Sequence, residues 1–146
     1  ALYCDLRFAA DNTVFTTSFA RRGLIAEHGI SWMLPRIVGH ANAMDLLLSA
    51  RRVSSDEALR IGLVNRLCSP EKLREETYAY ARDLADFVSP SAMAVIKRQL
   101  YEVPFQTLAE ATIEANREMM VALGGSDFRE GVASFMEKRP PRFTGR

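Results

Sequence analysis

Glu27 stands between two glycines in the stretch Phe15-Thr16-Thr17-Ser18-Phe19-Ala20-Arg21-Arg22-Gly23-Leu24-Ile25-Ala26-Glu27-His28-Gly29. The glycines punctuate the chain, and from Ile30 the pattern turns helical, so the carboxylate falls at a loop-to-helix turn. A carboxylate there has two uses. It complements the positive end of the helix dipole, which stabilises by about 0.3–1 kcal/mol. In a water-poor pocket it can also accept and return protons as a general acid/base. His28 could tune that carboxylate or touch a substrate, or be a solvated turn residue. Phe19 and Trp32 read either as core aromatics or as walls of a pocket. His28, His40, Cys4 and Cys68 have no metal-ligand spacing, so no metal is expected, and no Ser-His-Asp arrangement is supported. Phe135, Lys138 and Arg139 close the last helical pattern, where basic residues suit the negative end of the dipole.

The elements that must position these groups follow from punctuation and periodicity. Leu6-Arg7-Phe8-Ala9 alternates like a strand, Asp11-Asn12 signals a turn, and residues 13–17 are rich in β-branched types. A helix is expected from Ile30, kinked or restarted at Pro35 and ended by Gly39. A second, from His40 to Ser49, would place Met44, Leu47 and Leu48 on one face. Ser54-Ser55-Asp56-Glu57 reads as a capping box opening a short helix that stops at Gly62. Leu63–Leu67 reads as a strand. After Ser69-Pro70 the pattern is helical, with apolar stripes through Leu73, Thr77, Tyr80, Leu84 and Phe87; Met93, Ile96 and Leu100; Leu108, Ala111, Ala115, Met119 and Ala122; and Phe128, Val132 and Phe135. Breaks are expected at Ser89-Pro90, Pro104, Gly124-Gly125 and Pro140-Pro141. Periodicity alone gives a mostly helical chain with some β structure.

Bulk properties narrow the function classes. The 146 residues suffice for one domain with a sizeable core, and 48% apolar with 25% charged residues is ordinary for a globular chain. A net charge of +1 offers no electrostatic case for nucleic acid or an anionic membrane surface. It also disfavours a helix-turn-helix reading of Ala58–Leu67. Two cysteines make no disulfide framework, which favours a reducing, cytoplasmic setting. No apolar run is long enough to span a bilayer.

The stretch Gly23-Leu24-Ile25-Ala26-Glu27-His28-Gly29 resembles the Gly-Leu-x-x-Glu-Gly-Gly and Gly-Leu-x-x-Asp-x-Gly variants of a segment found in isomerases of the crotonase (enoyl-CoA hydratase/isomerase) superfamily. The likeness continues through Leu34-Pro35-Arg36-Ile37-Val38-Gly39 to Phe135-Met136-Glu137-Lys138-Arg139. It implies an α/β fold tending to mainly α: residues 1–68 as the end of a ββα spiral with the active-site turn, and 69–146 as a helical trimerisation region. It also implies that Ala1, which is not a start methionine, lies mid-protein, so that the chain is a C-terminal portion.

The same resemblance gives Glu27 the role of proton-shuttling acid, with Phe19, His28 and Trp32 around the acyl group. Phe19 stands where hydratases of the family carry a glutamate, four residues before the motif glycine. Adding water calls for two acid/base groups, whereas moving a double bond needs one. Tryptophan at position 32 is similar to members acting on bulky or cyclic acyl groups. Phe135 and Lys138 would reach the nucleotide end of coenzyme A, where an ammonium can meet phosphates. The family's second hydratase glutamate and both oxyanion N–H donors, each worth about 2.7–4 kcal/mol, would precede Ala1. The resemblance thus implies an acyl-CoA thioester substrate, no cofactor beyond the coenzyme A it carries, and a homotrimer or hexamer. The favoured reaction is enoyl-CoA isomerisation. The alternatives are enoyl-CoA hydration in fatty-acid oxidation, or a non-catalytic oligomerisation module.

Overall fold

The computed structural model describes residues 1–145, which fall into two compact units divided between Tyr78 and Ala79. In the first unit, β1 (Phe8–Ala10) and β4 (Arg66–Cys68) form a parallel pair, and β2 (Val14–Phe15) lies antiparallel to β3 (Val53–Ser54). The register sets Ala9 opposite Leu67 and Phe15 opposite Val53. Three helices, α1 (Ile30–Val38), α2 (His40–Ser49) and α3 (Ser55–Arg60), supply the rest.

The core sits in this unit. Ala9, Leu34, Val38, Ala43, Leu46, Val53, Ala58, Leu63 and Val64 form one buried apolar cluster, with Phe15, Ile30, Ile37 and Leu47 packed on its edge. Burying side chains the size of Leu34 or Val53 stabilises by roughly 1.5–3 kcal/mol each. Buried Ser55 is satisfied by donating its hydroxyl proton to the carbonyl of Asp11, as a buried polar group must be.

Several local expectations are corrected. Helix α1 continues through Pro35 rather than restarting there, and it ends, as expected, before Gly39, whose φ is +79°. Helix α2 buries Ala43 and Leu46, while Met44 and Leu48 are exposed. Ser54 does cap α3, accepting from the Glu57 N–H at 3.3 Å. Glu57, however, does not reach back: it pairs bidentately with Arg51 at 2.5 and 2.8 Å. Leu63 and Val64 precede the strand, because their N–H groups close the end of α3 on the Ala58 carbonyl at 2.8 and 3.3 Å.

Helix α4 (Leu73–Phe87) runs through the division between the units, followed by α5 (Pro90–Glu102), α6 (Leu108–Gly124) and α7 (Ser126–Glu137). Ser89 caps α5 ahead of Pro90, and Pro104 lies in a 3-10 turn over Val103–Phe105. Thr107 and Glu110 form a complete capping box on α6 that no sequence expectation included. The apolar stripes of α5, α6 and α7 bury none of their side chains; the buried residues of α7 are Asp127 and Ser134. Ile96, Met119, Phe128, Val132 and Phe135 instead line an apolar groove of about 920 Å³. Among the described residues no helix is long and apolar enough to cross a membrane.

Candidate active site

The turn carrying Glu27 is built by backbone conformation. The Glu27 carbonyl accepts the Ile30 N–H at 3.1 Å, and the Gly29 carbonyl accepts from Trp32 and Met33 at 3.0 and 3.1 Å, starting α1. The two residues inside the 27–30 turn, His28 and Gly29, have φ of +54° and +74°. Positive φ at both central positions is the signature of a type I′ turn, which glycine adopts freely and histidine more readily than most side chains. The Tyr3 hydroxyl donates to the His28 carbonyl at 2.6 Å.

This turn brings Glu27 and His28 together, with Oε2 to Nε2 at 3.8 Å. The Glu27 side chain is 39% exposed and that of His28 87%, so within the described chain the carboxylate borders solvent. Trp32 sits in the first turn of α1, its ring under the Arg36 guanidinium at 3.7 Å from the centroid, in cation–π geometry. Phe19 is half-buried at the head of the 3-10 turn Ala20–Arg22, where its carbonyl accepts from Arg22 and Leu24 at 2.9 and 3.0 Å. The loop before Glu27 is fastened to the end of α2: the Thr16, Thr17 and Arg21 side chains donate to the carbonyls of Ala50, Leu46 and Ser49 at 3.1, 2.9 and 2.9 Å.

Phe135 and Lys138 belong to the second unit. Phe135 is 83% exposed. Lys138, also exposed, ends α7 in a left-handed conformation with φ of +54°. Arg139 is committed locally, to Glu130 at 2.6 and 2.9 Å and to Glu137 at 2.5 Å. The Arg139 guanidinium above all, then the Arg142 N–H, pulls the Glu130 carboxyl down to about 2.

Two features went unread in the sequence. Asp127 is buried and gathers the hydroxyls of Ser89 and Ser91 at 2.6 and 2.9 Å and the N–H groups of Thr144 and Gly145 at 2.9 and 3.1 Å. The Ser89 hydroxyl above all, then the backbone N–H of Thr144, holds its carboxyl at about 2. An acid opening a helix after Gly-Gly-Ser looks like an ordinary dipole partner, so only the non-local bonds reveal this hub. Tyr3 likewise gave no signal, because its partner lies twenty-five positions away. Among the described residues no group of three or more His, Cys, Asp or Glu could hold a metal ion.

The family model described as enoyl-CoA hydratase/isomerase matches residues 1–146. A probable enoyl-CoA hydratase of Rhodobacter capsulatus is 37% identical over 147 residues, covering 100% of this chain and 56% of that protein. The 1,2-epoxyphenylacetyl-CoA isomerase of Escherichia coli is 34% identical over 148 residues, covering 100% of this chain and 55% of its own length. The crystal structure of a probable enoyl-CoA hydratase/isomerase from Mycobacterium abscessus superposes with a TM-score of 0.95 at 31% identity, covering 100% of this chain and 57% of that one. The chain spans about half the length of the curated relatives it matches.

Proposed function

Because the chain belongs to the enoyl-CoA hydratase/isomerase family, we propose that the protein carrying it moves the double bond of an enoyl-CoA, with Glu27 as its proton shuttle. Glu27 removes a proton from one carbon of the acyl chain, the electron pair delocalises toward the thioester carbonyl, and the same carboxyl returns a proton two carbons away. One carboxylate suffices for both steps. The observation that supports the reading is that Glu27 stands on a turn fixed at the head of α1 while the loop before it carries Phe19 and no second acid. Phe19, His28 and Trp32 surround the acyl group in this reading. Phe135 and Lys138 meet the coenzyme A nucleotide, since Arg139 is already held by two carboxylates.

The reaction uses no cofactor beyond the coenzyme A of its substrate. The protein is a cytoplasmic homotrimer or hexamer, consistent with free cysteines and with exposed Leu100, Leu108, Ile113, Val121 and Phe135 on α5–α7. Apolar surface of that kind is characteristic of interfaces. Hydration is the second reading, favoured by the hydratase name of the Rhodobacter capsulatus relative.

Glu27→Gln tests the shuttle, because the amide keeps the side chain's shape and loses its exchangeable acid proton. Turnover of a 3-enoyl-CoA should fall by about 10²–10⁴-fold, with coenzyme A thioester binding retained. Wild-type turnover in this variant would remove Glu27 from the reaction.

A further inference from the structure

The turn that carries Glu27 is tied through one bond network to the parallel strand pair, and Tyr3 is the link. Arg7, directly before β1, donates from Nε to the Leu63 carbonyl at 2.7 Å and from Nη1 to the Cys4 carbonyl at 2.7 Å. Its own N–H bonds Asn65 Oδ1 at 2.8 Å, and its carbonyl accepts the Asn65 N–H at 2.8 Å. The Ala1–Cys4 turn, closed by a 3.0 Å bond from the Cys4 N–H to the Ala1 carbonyl, is thereby tied to β1 and β4. From that turn the Tyr3 ring reaches across to the 27–30 turn and donates its hydroxyl proton to the His28 carbonyl at 2.6 Å. Contact is close enough that a Cβ built on Gly29 would lie 2.6 Å from the Tyr3 hydroxyl and 4.0 Å from the ring carbon bearing it.

We propose that Tyr3 is a positioning residue for Glu27: its hydroxyl fixes the His28–Gly29 peptide and so the direction in which the neighbouring carboxylate points. The inference rests on the proton-shuttle reading of Glu27. Tyr3 is 63% exposed, and an exposed hydrogen bond of this kind adds little to global stability. Its effect is on the turn. Gly29 adopts its positive φ freely, but His28 at φ +54° is a non-glycine residue in the left-handed region, a conformation that the surroundings help to hold. The hydroxyl on the His28 carbonyl is one such restraint, and Gly29 is the residue that leaves room for it.

The test is a kinetic cycle in the protein that carries the chain, using a 3-enoyl-CoA and the variants Tyr3→Phe, Glu27→Gln and the double variant. Tyr3→Phe deletes the hydroxyl and keeps the ring. It should lower kcat by about 10–100-fold, the loss expected for a misplacement of about 1 Å, with KM nearly unchanged. In the Glu27→Gln background the same substitution should cost no further activity, since there is no longer an acid to aim. Wild-type kcat in Tyr3→Phe, or an equal fractional loss with and without Glu27, overturns the positioning role while leaving the shuttle standing. Wild-type turnover in Glu27→Gln alone overturns the shuttle and this inference with it. A stability cycle checks the contact independently of activity. Gly29→Ala should lower Tm more in the wild-type background than in Tyr3→Phe, where the hydroxyl that meets the new Cβ is gone; equal shifts would contradict the contact.

Discussion

At the scale of single residues, the Asp127 carboxylate makes a prediction separable from catalysis. Its four bonds use both oxygens: Oδ2 accepts from Ser89 and Ser91, and Oδ1 from the backbone N–H groups of Thr144 and Gly145. Because the folded carboxyl sits at about 2, below its ordinary 3.8, ionised Asp127 stabilises the fold at every pH above the ordinary value. That contribution is lost as pH falls through about 2. Asp127→Asn keeps the size but replaces a charged acceptor with an amide, so that one end becomes an N–H donor and either the Ser89 and Ser91 hydroxyls must turn to accept or the Thr144 and Gly145 N–H groups lose their acceptor. The variant should melt a few degrees lower than wild type at neutral pH, and the gap should narrow as pH drops from about 4 toward about 2. Thermal melts across that range check it, and a gap that is constant with pH would place the carboxylate's stabilisation elsewhere. The loop-to-helix turn that carries Glu27 was legible from Gly23 and Gly29, because glycines act on their own backbone. Tyr3 and Asp127 were not, since each acts through partners distant in sequence.

At the scale of elements, the two caps show how little separates a full box from half of one. Both Ser54-x-x-Glu57 and Thr107-x-x-Glu110 match the pattern. Glu110 reaches back to the Thr107 N–H at 2.7 Å, whereas Glu57 is drawn away by the Arg51 guanidinium. Thr107→Ala removes a hydroxyl that receives the Glu110 N–H at 3.3 Å and donates to its carboxylate at 2.8 Å. It should therefore cost about 0.5–2 kcal/mol of unfolding free energy, and Ser54→Ala less, as its box is incomplete. Urea unfolding with unchanged slope would read both; a larger loss for Ser54→Ala contradicts the assignment. Helix limits were readable because Pro90, Pro104, Gly39 and Gly125 act on their own backbone. Strands were misplaced by one to three positions because β1 and β4 are each three residues long, and their extent is set by pairing with each other. In α2 the helical period was right but left open which of two adjacent stripes would be buried: Ala43 and Leu46 join the core cluster with Leu34, Val53 and Ala58.

At the scale of the whole molecule, the two units differ in what they bury. The first closes an apolar core around Leu34 and Val53, and the second turns polar Asp127 and Ser134 inward while Phe135, Met136 and Leu108 stay exposed. The chain-wide resemblance made the family readable; in the proposed reading, the choice between moving a double bond and adding water depends on how many acids meet the substrate. In that reading the loop before Glu27 carries Phe19 and no second acid, and one carboxylate is enough to shuttle a proton. The most direct measurement is kcat/KM for isomerisation of a 3-enoyl-CoA against kcat/KM for hydration of the 2-enoyl-CoA of the same chain length, in the protein that carries this chain. A single shuttling carboxylate predicts that isomerisation has the larger constant. A hydration constant exceeding the isomerisation constant would contradict it.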